Sequence, residues 1–200
     1  MTAIMIDRAT EADIPAVRDL MARSIDALQR GFLSEAEIAA SRAVMGLDTQ
    51  LIADRSYFTA RIGGALAGCG GWSWRATLYG GDHSADLRDA RLLDPAREPA
   101  RIRAMFTDPG FVRRGVGRAI LAACEDAARA AGFGTAEMMA TLAGEPLYRA
   151  CGYVAVERTA AAPVDGISVP LVRMAKALRW GERCPLRGGL PTGRFWIGIS

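Results

Sequence analysis

Residues 111–121, FVRRGVGRAIL, place three arginines and two glycines where a loop runs into an apolar helix. The first amides of a helix have no hydrogen-bond acceptor within the helix, and the helix dipole adds partial positive charge there. Gly115 and Gly117 have no side chain that would keep an oxygen ligand away from these amides. The guanidinium groups beside them can add charge-assisted hydrogen bonds to a phosphate. The stretch therefore predicts a phosphate-binding turn.

Two familiar phosphate motifs do not match this turn. A Walker loop requires GxxxxGK[ST], which the sequence lacks. A dinucleotide fingerprint, GxGxxG, would need a glycine where Ile120 stands. On the turn alone, an ordinary helix start with solvated arginines stays open as the alternative to a phosphate site.

Strand and helix signals on both sides of the turn follow the order β-α-α-β-β-β-α-β-α-β-β. Thr10 and Ser34 can cap the first two helices, each with an acidic residue three positions later, and Gly63-Gly64 marks a hairpin turn. Helices between strands in the second half predict an α/β fold, a mixed sheet with helices on both faces. The predicted strands span 3–9, 56–62, 65–74, 101–108, 134–142, 153–161 and 167–178, and the predicted helices span 10–25, 34–45, 118–132 and 144–152.

Two segments lie outside this pattern. Residues 75–100 are polar, with glycine, aspartate and proline, and are expected to form an excursion from the sheet. Residues 181–200 have no clear periodicity and much glycine and proline. Since 200 residues suit one domain, we expect a single domain over residues 1–180, followed by an irregular or partner-contacting tail over residues 181–200.

Composition and charge argue against several classes of protein. The net charge of +3 and the pI near 8.9 come without a dense basic stripe interleaved with aromatic residues, so we expect no nucleic-acid partner. The start of the chain lacks a basic segment followed by an apolar run, and no stretch approaches the length of an apolar membrane span. We therefore expect a cytoplasmic protein with no membrane partner. The four cysteines form no CxxC pair and His83 is the single histidine, so we expect no metal site.

Two longer segments resemble known signatures. Residues 101–133 resemble the acetyl-CoA-binding segment of the GNAT superfamily of N-acetyltransferases: a strand, a V-x-P-like end, and [QR]-x-x-G-x-[GA] opening a long helix. Residues 141–153, TLAGEPLYRACGY, resemble the second family signature, N-x-x-A-x-x-[FL]-Y-x-x-x-G-[FY]. The resemblance spans roughly residues 4–178. Three positions depart from the family pattern: Val112 replaces Gln or Arg, Thr141 replaces Asn, and Gly144 replaces Ala.

The resemblance implies a GNAT-like central sheet whose parallel strands splay apart at the cofactor site. It also implies acetyl-CoA as co-substrate and no metal. The pyrophosphate would lie on the amides of residues 113–118, and the pantetheine arm would lie along residues 105–107, with the thioester carbonyl at a backbone N–H there. The residues that the resemblance assigns to cofactor binding are Met105, Phe106, Thr107, Arg113, Arg114, Gly115, Val116, Gly117, Arg118, Thr141 and Tyr148.

Other side chains are candidates for the chemistry. By the resemblance, Tyr148 stands at the position of the general acid, and its phenol can donate a proton to the leaving sulfur. Glu137 is a candidate base, with a solvent-facing strand carboxylate as the alternative. Trp72 and Trp74 point to one face of a strand and, with Tyr79, are candidates for the acceptor pocket. Core packing is the alternative for the two tryptophans.

The function implied by the resemblance is the transfer of an acetyl group from acetyl-CoA to a primary amine of a small molecule or peptide. The amine would attack the thioester directly in a ternary complex. The alternative is a non-catalytic acyl-CoA-binding or sensor module on the same fold. The turn together with Tyr148 favours the enzyme. The sequence does not identify the acceptor, and a homodimer is one expectation because dimers are common in the family.

Overall fold

The computed structural model describes residues 3–178, which form a seven-stranded mixed sheet with the strand order β1-β2-β3-β4-β5-β7-β6. All neighbouring strands are antiparallel except β4 and β5, which are parallel. The strands are β1 (Ile4–Arg8), β2 (Tyr57–Ile62), β3 (Ala65–Ser73), β4 (Ala100–Thr107), β5 (Thr135–Thr141), β6 (Val154–Ala160) and β7 (Pro170–Ala177). This confirms the predicted mixed sheet. The expected tail, residues 181–200, lies outside the described residues.

Helices cover both faces of the sheet, as predicted. They are α1 (Ile14–Leu28), α2 (Glu35–Val44), α3 (Gln50–Ala53), α4 (Val116–Ala130) and α5 (Glu145–Ala150). The four-residue helix α3 is an addition that the sequence pattern does not predict. Helix α4 buries Val116, Ile120, Cys124 and Ala128 against one face, because a spacing of four residues keeps side chains on the same side of a helix. Helices α1, α2 and α3 pack against the opposite face.

The hairpin of β2 and β3 forms as the sequence predicts. Gly63 and Gly64 both have positive φ, 59° and 82°, which a two-residue turn between antiparallel strands requires and which glycine adopts without strain. The second strand ends at Ser73, one residue before the predicted end. The residues between β3 and β4 form the expected excursion. It is fastened to the start of α3, since Asp82 Oδ1 accepts hydrogen bonds from the amide and the hydroxyl of Thr49 at 2.9 Å.

Strands β4 and β5 pair over only two residue pairs, Ala100 with Ala136 and Arg101 with Glu137. Beyond these pairs the strands diverge, and β4 changes from mostly buried in its first half to partly buried from Ala104 onward. The expected splaying of the parallel strands is thereby confirmed. The gap between residues 104–107 of β4 and residues 138–141 of β5 is called the split below.

A β-bulge lies in β4 at the start of the split. Cys69 pairs with Phe106 and Gly71 with Arg103, so Gly70 alone stands opposite both Ala104 and Met105. Ala104 has a φ of 49°, in the left-handed region that residues other than glycine seldom occupy. A bulge bends its strand and increases the local twist, so this extra residue accounts for the departure of β4 from β5.

Candidate functional site

The turn that precedes α4 is fastened at its start by Asp108. Its Oδ1 accepts a hydrogen bond from the Gly110 amide at 2.9 Å, and its Oδ2 accepts one from Arg23 of α1 at 2.7 Å. Burial alone would raise the pKa of Asp108, but the hydrogen bonds from Arg23 and Gly110 lower it below its ordinary value. The turn is therefore fixed to α1 by an ion pair at neutral pH.

The backbone between Asp108 and α4 leaves several amides open. Arg113 and Gly115 both have positive φ, 62° and 85°, and Gly115 is the N-cap of α4 without any side-chain cap. Within residues 3–178, the amides of residues 113–117 donate to no backbone carbonyl. Successive amides in such a turn form a concave surface that binds anions. The predicted phosphate-binding turn thus has the required local geometry.

The charges around this turn are positive where a helix start normally favours negative ones. The first turn of α4 holds no acidic residue, while Arg113 and Arg114 are exposed beside it, with the Arg114 guanidinium 5.2 Å from the ring centre of Phe111. Cations at a helix N-terminus oppose the helix dipole. The arrangement becomes favourable when an anion lies between them, so the turn fits a diphosphate better than an ordinary helix start.

Three separate segments meet at Gly117. A Cβ atom there would lie 2.8 Å from Leu147 Cδ2 of α5 and 3.5 Å from Thr107 Oγ1 at the end of β4. The missing side chain lets α4, α5 and β4 approach one another at the mouth of the split. The structure therefore brings together the turn, the end of β4 and the helix that carries Tyr148, as expected for a site that they share.

Tyr148 is buried within α5, with 7% of its surface exposed, and its ring stands edge-on to that of Tyr153 at 6.2 Å. Burial raises the pKa of the phenol well above its ordinary value, and the nearby Cys124 thiol adds a smaller effect in the same direction. The phenol is therefore protonated at neutral pH and can donate its proton. A Cβ at position 144 would lie 2.9 Å from Tyr148 Cε2, so the departure to Gly144 makes room for this ring.

Thr141, the other departure in the second signature, caps the loop before α5. Its hydroxyl oxygen accepts the amide of Gly144 at 3.1 Å. A threonine hydroxyl in this place orders the short loop that leads to the helix. Thr141 is the last residue of β5 and lies at the rim of the split.

Glu137 lies at the closed end of the strand pair, where β4 and β5 still pair. Its carboxylate forms ion pairs with Arg101 and with Arg173, whose Nη1 lies 3.4 Å from Glu137 Oε2. Its side chain is only 11% exposed, so it is not the solvent-facing carboxylate of the alternative. A carboxylate held by two guanidinium groups fits a structural ion pair better than a group that accepts a proton.

The two tryptophans and Tyr79 do not come together. Trp72 is 4% exposed and packs in the core on the α4 face, with its ring 5.2 Å from Trp74 and 6.0 Å from Phe133, which follows the end of α4. The turn lies at the other end of this 15-residue helix, about 22 Å away at 1.5 Å per residue. Tyr79 lies on the opposite face, among side chains of α2 and Met139 of β5. The core-packing alternative describes the tryptophans better than an acceptor pocket does.

Three residues of this region are absent from the sequence-based assignments: Arg23, Ala104 and Asp108. Asp108 carries a usable signal, since aspartate before Pro-Gly is typical of a turn held by its own side chain. The other two act through contacts between segments far apart in sequence, for which no local pattern exists. The sequence offers Tyr57 only as a further candidate for the acceptor pocket, whereas the structure shows its hydroxyl bonded to the Ala104 carbonyl.

Within residues 3–178, no group of three or more histidine, cysteine, aspartate or glutamate side chains is arranged to hold a metal ion. No helix in that range is both long enough and apolar enough to cross a membrane.

Known structures share this fold. A GCN5-related N-acetyltransferase from Rhodopseudomonas palustris aligns with a TM-score of 0.62 at 20% identity over 88% of this chain and 96% of its own. The yncA protein from Salmonella typhimurium, solved with its cofactor acetyl-CoA, aligns with a TM-score of 0.58 at 17% identity over 92% and 98%. A ribosomal-protein-alanine N-acetyltransferase from Brucella melitensis aligns with a TM-score of 0.57 at 19% identity over 86% and 99%.

The sequence itself carries the family assignment. No curated protein matches the chain. The model of the acetyltransferase (GNAT) family matches residues 23–153, which include the turn, the split and the helix of Tyr148. This match covers well over half of the 200 residues. The chain belongs to the GNAT family of acetyltransferases.

Proposed function

We propose that this protein transfers the acetyl group of acetyl-CoA to a primary amine of a small molecule or peptide, by direct attack in a ternary complex. The observation that carries the proposal is the turn before α4, whose open amides and arginines lie at the mouth of the split. Family membership supports acetyl-CoA as the donor.

The cofactor fits the described residues in two respects. The amides of residues 113–117 are open and lie beside Arg113 and Arg114, as a diphosphate requires. The absence of a side chain at Gly117 brings Thr107 and Leu147 against the turn, so the adjoining pantetheine arm has the split beside it. We assign the diphosphate to the turn and the pantetheine arm to residues 105–107 of β4.

When bound, acetyl-CoA supplies an acetyl group activated as a thioester. A bond forms between the amine nitrogen and the carbonyl carbon, and the carbon–sulfur bond breaks. We assign Tyr148 to donate its phenolic proton to the leaving sulfur, since burial keeps the phenol protonated. A backbone N–H of β4 near Met105 holds the carbonyl oxygen as it gains charge. Bringing both reactants together in one cleft supplies a large part of the acceleration.

We do not assign the proton of the attacking amine to Glu137. The carboxylate of Glu137 is already held by Arg101 and Arg173 at the closed end of the strand pair. Release of the amine proton to water leaves that ion pair intact. The Brucella neighbour is by name a ribosomal-protein-alanine N-acetyltransferase, so the α-amine of a peptide belongs among the acceptors to be tested.

The experiment combines calorimetry with a thiol-release assay across small amines and peptide α-amines. We expect the wild-type protein to bind coenzyme A and to release thiol from acetyl-CoA with at least one amine. In Tyr148→Phe we expect kcat to fall by roughly 100-fold, because general acid catalysis contributes 10²–10⁴-fold, while the Kd for coenzyme A stays within about twofold.

Three outcomes would contradict this proposal in different ways. Coenzyme A binding without turnover of any amine would favour a non-catalytic acyl-CoA-binding module. A wild-type protein that binds no coenzyme A would refute both functions. An unchanged kcat in Tyr148→Phe would remove Tyr148 from the chemistry while leaving the transferase intact.

A further inference from the structure

The side chain of Tyr57 spans from β2 to β4. Tyr57 begins β2 and is fully buried, yet its hydroxyl donates a hydrogen bond to the backbone carbonyl of Ala104 in β4 at 2.8 Å. Strand β3 lies between the two. A Cβ at Gly71 of β3 would lie 2.6 Å from Tyr57 Cδ2, so this glycine gives the tyrosine ring its path across the sheet.

The acceptor of this hydrogen bond is the bulge at the start of the split. Ala104 has a φ of 49° and takes no part in the register between β3 and β4. An alanine in the left-handed region persists only when its surroundings hold it there. A hydrogen bond from a buried hydroxyl is one such restraint. Its loss would deprive the Ala104 carbonyl of this donor in a partly buried place, where a polar group without a partner is costly.

The bond fixes the direction of the next amide. The described residues contain no cis peptide bond, and in a trans peptide the N–H and the preceding C=O point in opposite directions. The Ala104 carbonyl points toward Tyr57, on the β2 side of β4. The N–H of Met105 therefore points away from the Tyr57 hydroxyl.

We propose that Tyr57 is a positioning residue, whose hydroxyl orients the Ala104–Met105 peptide so that the Met105 N–H receives the carbonyl oxygen of the thioester. The inference rests on the proposed function, since only a thioester lying in the split gives this amide its role. A donor aimed in advance at an oxygen that gains charge lowers the barrier, because it need not reorient during the reaction.

The surroundings of the hydroxyl keep it a proton donor. Burial raises the pKa of Tyr57 well above its ordinary value, with a smaller contribution from the Cys69 thiol. Burial also raises the pKa of Cys69 to about 12, while its hydrogen bond with Tyr57 acts in the opposite direction. Both groups are therefore neutral at the pH of any ordinary assay, and the Ala104 carbonyl keeps its donor.

Tyr57→Phe tests the inference, because it retains the ring and deletes only the hydroxyl. We expect kcat to fall about tenfold, less than the 10²–10³-fold cost of deleting an oxyanion donor, since the amide is loosened and not removed. The KM for acetyl-CoA should stay within about threefold. The Kd for adenosine 3′,5′-bisphosphate, which is the nucleotide end of coenzyme A alone, should not change. A general loosening of the fold would alter all three quantities.

Ser56→Ala is the matched control. The Ser56 hydroxyl, next in the chain and 1% exposed, donates to the carbonyl of Leu51 at 3.2 Å and does not reach β4. This variant also loses one buried hydroxyl–carbonyl hydrogen bond, so its melting temperature should fall, but its kcat should equal that of the wild type. Equal kcat in Tyr57→Phe and wild type, or an equal fall of kcat in both variants, would overturn the inference.

A measurement on the wild-type protein covers the case in which Tyr57→Phe does not fold. The amide resonance of Met105 should shift when acetyl-CoA is added and should stay in place when adenosine 3′,5′-bisphosphate is added. An unmoved Met105 amide in a protein that turns over an amine would overturn the inference and leave the proposed function intact. A wild-type protein without turnover would instead count against the proposed function.

Discussion

Helices α2 and α4 begin in opposite ways. At α2, the Ser34 hydroxyl accepts the Glu37 amide at 3.3 Å, and Glu37 Oε2 accepts the Ser34 amide at 2.8 Å, which completes a capping box. The first turn of α2 also contains two acidic residues. At α4, the N-cap is Gly115, no side chain caps the helix, and the first turn holds no acidic residue.

We infer from this difference that the two helix starts have different roles. A capping side chain contributes about 1 kcal/mol to stability, and acidic residues in the first turn add a favourable interaction with the helix dipole. The start of α2 uses both devices, as a helix end that serves only the fold should. The start of α4 has neither a capping side chain nor an acidic first turn, and it carries arginines instead. The turn before it is held in place by the ion pair between Asp108 and Arg23 of α1. Such an arrangement leaves the amides at the start of α4 without backbone acceptors among the described residues, and we propose that a bound anion accepts their hydrogen bonds.

Gly117→Glu should have the largest effect on affinity for coenzyme A. It places a negative charge at the start of α4, where the anion of the ligand would bind. Two like charges about 4 Å apart repel by about 4 kcal/mol at an intermediate dielectric, so affinity for coenzyme A should fall by roughly 100-fold or more. Isothermal calorimetry measures the change directly.

Gly117→Ala is the matched control, since it adds only the Cβ that Leu147 Cδ2 must avoid. That atom would lie 2.8 Å from the new Cβ, and it is the far end of a flexible side chain. We expect Gly117→Ala to keep coenzyme A affinity within about fivefold, because the flexible Leu147 side chain can move aside at the low end of the usual cost of added volume, about 1 kcal/mol. If Gly117→Glu bound coenzyme A as tightly as Gly117→Ala, the turn would not be the diphosphate site.

The double substitution Arg113→Gln/Arg114→Gln should weaken coenzyme A binding at the start of α4 by a smaller amount. Both side chains are exposed, so each contributes less than a buried pair would. We expect coenzyme A affinity to fall about tenfold at low ionic strength and the difference to shrink above roughly 0.3 M salt, where surface charges are screened. Titrations at two salt concentrations measure this. Arg30→Gln/Arg42→Gln is the matched control. It removes one cation within α2 and one from the segment before it, and it should leave the affinity for coenzyme A unchanged.

Both helix starts could be predicted from the sequence because each depends on residues that are close together in the chain. Ser34 with Glu37 three residues later, and glycines beside arginines before an apolar helix, each lie within one turn of chain. The Gly63-Gly64 hairpin is local in the same way. The two family signatures also allowed the order of the strands in the sheet and the position of Tyr148 to be predicted, because they link two segments at a fixed spacing.

Features made by distant segments could not be predicted in this way. An alanine in the left-handed region has no sequence signal, and Ala104 holds that conformation next to a tyrosine 47 positions earlier in the chain. The partners of Glu137 come from two other strands, so its sequence position could not distinguish a base from an ion pair. The packing of the two tryptophans could not be predicted for the same reason, since alternation along β3 gives their shared face but not what covers it.

Glu37→Gln should have the smallest effect, and it tests the other half of the comparison. Hydrogen bonds from the Ser34 amide and then the Ser34 hydroxyl lower the pKa of Glu37 below its ordinary value. The carboxylate therefore stabilises the fold above its unfolded pKa, and this contribution disappears as the pH falls through the lower folded value. The melting temperature of the variant should lie about 1–2 °C below that of the wild type at pH 7, and the two should converge as the pH falls through the folded pKa of Glu37. Coenzyme A affinity at pH 7 should be the same in both proteins. A weaker affinity in Glu37→Gln would mean that the capped helix start also serves the ligand, and the distinction between the two helix starts would no longer hold.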